Sequence, residues 1–373
     1  MNSRRDEDFD WEKQVGAQPL RLRPANPRLA VWMGYLISQI VGFGALALVT
    51  LIFTRFNWSQ MGDLGSWTGG ILGFSQFFLI PFGMGLVASY FWLDTLKIAV
   101  TDAELRNAQI LKRKRPIAGV SSLLNTLLSC FGAFFILREG AICLIMASPI
   151  LWLFMWIGVV AGDHFWRKNP FLGVSLAPLF FAEAGRPQAQ EFAVSTDFHS
   201  KASPQALWRY TADYPRNPHA ANWWLFRMGL PAPLKSTGTP EVGGRRDCDL
   251  TDGITVGQKI VVAETNRRLE FVIDKQPQHP ELARHFILRR GRIELFPDGR
   301  GGTVIRGTSW YQLNVAPVAY FQGWSAPIVH QTHARVFAWM DELARRDAAQ
   351  TLVASPVTSS KITEIARQFK SGQ

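Results

Sequence analysis

The chain has 373 residues and a formal net charge of +11 at pH 7, and its 47% hydrophobic content is concentrated in the first half. Its three cysteines, Cys130, Cys143 and Cys248, have neither CxxC nor Cys/His ligand spacing, so neither a disulfide framework nor a zinc site is indicated. The excess of Lys and Arg fits the basic loops of a membrane protein, and no nucleic-acid partner is expected.

Residues 1–28 are charged and Pro-containing and read as a cytoplasmic N-terminal segment; the apolar run that follows is too long for a signal-peptide core. A helix needs about 20 apolar residues to cross roughly 30 Å of hydrocarbon. Within 29–161, four stretches read as such spans: Leu29–Phe53, Gly70–Leu93, Gly119–Leu137 and Ala141–Ala161. Arg138-Glu139-Gly140 forms the turn between the last two. The spans hold essentially no ionisable residue; their Gln39, Gln76, Asn125 and glycines suit helix packing in lipid better than a substrate path.

Basic residues set the orientation. Arg21, Arg23 and Arg28 precede the first span, and Arg167 and Lys168 follow the fourth. The 94–118 loop carries Lys97, Arg106, Lys112, Arg113, Lys114 and Arg115, whereas the other two connections offer only Arg55 and Arg138. This pattern places both termini in the cytoplasm, as in an integral protein of the plasma (inner) membrane. Lys112, Arg113, Lys114 and Arg115 are also candidates for contact with anionic lipid. Residues 162–189 read as a juxtamembrane linker, in which the apolar stretch Phe171–Ala182 is too short to span and is expected at the interface.

From residue 190 the apolar pattern changes to short alternating elements. Glu191–Phe198 alternates, with Phe192, Val194, Thr196 and Phe198 on one face. Ser203 then caps a helix that has Pro204 at its first position. A Pro-rich aromatic stretch follows, from Tyr214 to Pro233, and includes Trp223-Trp224-Leu225-Phe226. Strands are predicted near 244–250, 254–263, 267–275, 284–296 and 302–315, with turns at Asp252-Gly253, Asn266 and Asp298-Gly299. A last helix, 317–346, carries the apolar stripe Phe321, Ile328, Val329, Val336, Trp339, Met340 and Leu343. Residues 347–373 read as a flexible tail.

This order over residues 190–346 resembles the START/Bet v 1-like helix-grip superfamily, and within it the polyketide cyclase/dehydrase and lipid-transport-like (SRPBCC) group. The resemblance rests on the Glu191–Phe198 strand with Ser203-Pro204-Gln205-Ala206-Leu207-Trp208, the Trp223–Arg227 run, the Gly307-Thr308-Ser309-Trp310-Tyr311 strand and the closing helix. It implies an antiparallel sheet wrapped around the C-terminal helix, with a cavity or a filled core between them. The four-span region lies outside that pattern. The whole therefore reads as a membrane α-helical region joined to an α+β domain.

Candidate cavity or lid residues are Trp223, Trp224, Phe226, Phe271, Ile273, Tyr311, Val329, His333, Val336 and Met340. Tyr311 should face inward and need a hydrogen-bond partner, opposite in direction to Trp310. His333 lies nearer the helix stripe than His330, but no Asp or Glu is spaced to orient it as a general base. There is no GxSxG, HExxH, Walker loop or strand-linked GxGxxG, so no cofactor or metal is implied and no catalytic residue is assigned. The sequence supports a membrane-anchored domain binding a lipid or other apolar small molecule at the cytoplasmic face. A cyclase or dehydratase acting in the same cavity, and a structural or assembly protein with unidentified protein partners, are the alternatives.

Overall fold

The computed structural model describes residues 26–55, 75–97, 108–137, 139–168, 191–282, 286–315 and 317–354. The predicted interfacial stretch Phe171–Ala182, most of the linker, and the end of the tail lie outside these residues. The chain divides into two compact units. The first draws on the helices α1 (Pro27–Arg55), α2 (Ile80–Lys97), α3 (Ala108–Gly132) and α4 (Ala141–Lys168).

Three of these segments are long and apolar enough to cross a membrane: Arg28–Leu48, Ala118–Leu137 and Ala141–Gly162. Of the predicted second span, Gly70–Leu93, the described part holds the apolar helix Gln76–Trp92, about 26 Å at 1.5 Å per residue, and residues 70–74 lie outside the described residues. A correction concerns Lys112, Arg113, Lys114 and Arg115, which fall in helix α3 and not in a loop. Lys and Arg are good helix formers, so a basic run extends an apolar helix as readily as it ends one.

Amides and small residues hold the first unit together. Asn125 is fully buried on α3, and its Oδ1 accepts from Ser38 Oγ (3.1 Å) and Gln39 Nε2 (2.8 Å) of α1. Gly85 and Gly158 let α2 and α4 approach until a side chain on either would meet the other helix's backbone. Close backbone approach and interhelical hydrogen bonds are the usual cohesion of helices in lipid, where no hydrophobic force drives them together.

The second unit is built on seven antiparallel strands: β1 (Glu191–Ser200), β2 (Pro233–Gly238), β3 (Arg245–Leu250), β4 (Thr255–Glu264), β5 (Arg268–Lys275), β6 (Phe286–Pro297) and β7 (Thr303–Leu313). They form one sheet in the order β1-β7-β6-β5-β4-β3-β2. Between β1 and β2 lie the short helices α5 (Pro204–Ala212) and α6 (Trp224–Arg227). Ser203 caps α5 by accepting from the Ala206 N–H. The long helix α7 (Val318–Ala354) packs against β1, β7 and α5.

Alternation in the strands supplies the concave face. Leu269 and Phe271 of β5, Ile293 and Leu295 of β6, and Ile305 of β7 join Phe337 and Met340 of α7 in one buried cluster. Gly307 is required there, because any side chain on it would collide with the Phe337 ring. Two differences from the sequence reading stand out. The Pro-rich stretch ends in a strand, β2, which among the described residues pairs with β3 and, through an isolated bridge, with Tyr214. The closing helix also runs past the predicted 346 to Ala354, through an Ala-rich segment of high helix propensity.

The start of α4 belongs to this second unit, which takes in residues 130–149, and there Glu281 accepts from the backbone N–H groups of Ile142 (3.1 Å) and Cys143 (3.0 Å). These are first-turn donors of α4 with no intrahelical partner, which a carboxylate satisfies well. Leu225 and Leu230 pack on Ile142 beside this cap.

Candidate functional site

A cavity of about 170 Å³ lies between the sheet and α7. Of the predicted residues, Phe271 and Ile273 of β5 and Val329, His333 and Val336 of α7 line it. The others are elsewhere. Met340 is fully buried in the core cluster. Tyr311 is also fully buried; its ring stacks on Phe286 at 4.5 Å and its hydroxyl bonds Ser325 Oγ at 2.9 Å. Its partner is therefore protein. Trp310 points the other way, under the Arg290 guanidinium at 4.1 Å.

Trp223 and Phe226 line a second, more open groove of about 290 Å³ with His219, Arg335, Trp339 and Glu342. Trp224 is 46% exposed and lines neither space. The side chains of Lys112, Arg113, Lys114 and Arg115 are outside the described residues.

Two polar features of the cavity were not read from the sequence: the hydroxyl partners of the predicted His333, and the side chain of Arg246. The first surrounds His333. Its Nε2 lies 2.8 Å from Ser309 Oγ and its Nδ1 lies 3.0 Å from Thr196 Oγ1, which also reaches His330 Nδ1 at 2.7 Å. The ring stacks on Phe337. Burial, followed by the neighbouring His330, pushes the His333 pKa down to about 4, so the imidazole is neutral at physiological pH. A Ser–His contact of this length has the spacing of a nucleophile and its base, but the base is weak and is oriented by a hydroxyl where a carboxylate would serve.

The second feature is Arg246. Strand β3 alternates so that Arg246 shares the inward face with Cys248 and Leu250, all buried. Its Nη1 donates to Gln258 Oε1, its neighbour across β4, and its guanidinium stands 5.0 Å from the centre of the Phe271 ring. Its Nε has no hydrogen-bond partner. Both Arg246 and Gln258 line the cavity. Tyr214, beside them, has its phenol pushed well up by burial and keeps its proton. Among the described residues no group of three or more His, Cys, Asp or Glu is placed to hold a metal ion.

An antiparallel sheet gripping a long C-terminal helix around an internal cavity is the helix-grip arrangement, here in a chain with three membrane-length apolar helices among its described residues. No family model matches the chain, and no curated protein matches it. Among solved structures, norcoclaurine synthase from Thalictrum flavum is similar at 12% identity, covering 44% of this chain and 99% of that one, with a TM-score of 0.30. Ara h 8.0201 (13% identity, 42% and 99% covered, TM-score 0.28) and protein MLL2253 from Mesorhizobium loti (21%, 42% and 98%, 0.28) are similar in the same way. These similarities are too distant to speak to function.

Proposed function

We propose that this protein is a membrane-anchored binding module whose helix-grip domain holds a small apolar molecule. The observation that carries the reading is the cavity of about 170 Å³, walled by Phe271, Ile273, Leu288, Val329 and Val336. A dry cavity of about 150 Å³ is enough to bind benzene, whereas pockets for drug-sized ligands run from about 300 to 1,000 Å³. The volume therefore supports a single ring or a short acyl chain and argues against a whole two-chain lipid inside the domain. Anchoring beside the bilayer raises the effective concentration of any ligand that partitions there.

The Ser309–His333 contact favours a second reading, a hydrolytic or cyclase-type enzyme. The low basicity of His333 and its hydroxyl partner make binding the stronger one. The side of the membrane is where two observations diverge. Loop charges support a cytoplasmic domain, while the Glu281 cap ties the domain to the Glu139-Gly140 turn, which the same charges put on the far face. A reporter fused after Gln373 separates them: cytoplasmic activity upholds the charge reading and exported activity upholds the cap. For the function itself, the full chain purified in mild detergent is extracted and analysed by mass spectrometry. A small apolar molecule at near-equal stoichiometry supports the proposal; a protein that neither carries nor takes up one sinks it.

A further inference from the structure

We infer that the molecule held in this cavity carries an acid group, a carboxylate or a phosphate, seated on Arg246. This rests on the binding reading above and adds the ligand's charge. Arg246 is only 4% exposed, yet none of the ion pairs among the described residues includes it. The contrast with its neighbours is internal to the site. Arg290 and Arg292 also border the cavity, and both pair with Glu270, at 3.8 and 3.2 Å.

A buried cation without a counter-charge is costly, and an arginine cannot escape by losing its proton as a lysine can. What surrounds Arg246 does not neutralise it. Gln258 accepts one hydrogen bond, and the Phe271 face offers a cation–π contact. The two titratable groups beside it that could turn anionic, the Tyr214 phenol and the Cys248 thiol, are both held protonated by burial. Its Nε stays unpaired in the cavity wall, where Arg290 and Arg292 already have Glu270 as their counter-charge. A guanidinium edge of this kind matches the two oxygens of a carboxylate or phosphate, and in a low-dielectric site the match is strong. The ligand's body is then limited by the volume to one ring or a short chain.

The test uses the full chain in phosphatidylcholine nanodiscs, titrated by fluorine NMR with 4-fluorobenzoate, 4-fluorophenyl phosphate and the neutral 4-fluorobenzamide. Empty nanodiscs are the control for partitioning. The expected result is that at least one acid binds tenfold or more tightly than the amide, and the tighter acid identifies the headgroup. In Arg246→Met the amide should bind as in the parent and the acid preference should fall to threefold or less. Equal binding of acids and amide by the parent protein overturns the inference while leaving the cavity reading intact. Failure of all three probes removes both. Unliganded Arg246→Met should melt at or above the parent temperature; a variant that melts lower or does not fold makes the guanidinium a structural strut and overturns the inference.

Discussion

Acidification from pH 7 to pH 4 should cost the C-terminal domain about 3 kcal/mol through His333 alone. Its imidazole has a pKa of about 4 in the folded protein, against 6.5 in an unfolded chain. Between those values the unfolded chain takes up a proton that the folded one refuses, so stability is full above pH 6.5 and falls as the pH drops towards 4. At about 1.4 kcal/mol per tenfold in the equilibrium constant, the gap amounts to about 3 kcal/mol. For a domain of this size about 1 kcal/mol moves the melting temperature by roughly 2–4 °C, so the loss should appear as about 6–12 °C. Other groups also titrate here: the Arg306 guanidinium holds Asp197 below its usual range, and Asp249 is lowered by its bond from Thr255. The comparison that isolates His333 is therefore His333→Gln, which keeps a neutral hydrogen-bonding side chain between Ser309 and Thr196. Followed by intrinsic fluorescence in nanodiscs, the variant should lose about 6–12 °C less than the parent over this pH range. Parallel curves would refute the burial argument.

Three further outcomes follow from packing. Gly307→Ala should destabilise the domain by about 1–3 kcal/mol, because its new methyl group meets the Phe337 ring; thermal melting reads this, and an unchanged midpoint would mean that α7 shifts freely. Tyr311→Phe should cost about 1 kcal/mol through the lost bond to Ser325 and leave probe binding unaltered, since the hydroxyl does not face the cavity; altered affinity in the fluorine titration would contradict that placement. Asn125→Ala removes the acceptor shared by Ser38 and Gln39 and should cost about 1–2 kcal/mol in the helical unit, read as earlier loss of helix in a detergent titration; no change would show that the helices find other partners.

Much of the sheet was legible because alternation and turn chemistry agree. Asp252 and Asn266 adopt left-handed backbone conformations (φ 63° and 61°) at the predicted turns, and β1 buries Phe192 and Val194 on the face read from its pattern. Strand β2 was not legible: Pro233-Leu234-Lys235-Ser236-Thr237-Gly238 has no apolar alternation, which an edge strand with one main partner tolerates.

The site divides along similar lines. Phe271, Ile273, Val329 and Val336 could be placed from strand and helix periodicity, whereas the division between core and cavity, which sends Met340 one way and Val336 the other, depends on volume. Arg246 carried a readable signal, since it alternates in step with Cys248 and Leu250. The ordinary expectation that a charged side chain faces water hid it. The Thr196–His333–Ser309 chain joins three elements far apart in sequence, and no spacing rule reaches across them.

The most direct measurement is the binding of 4-fluorobenzamide by the full chain and by Val336→Phe, whose larger ring is directed into the cavity from α7. A space of about 170 Å³ predicts saturable, single-site binding by the parent and none by the variant, with the variant still folded. Equal binding by both proteins, or none by the parent, would contradict it.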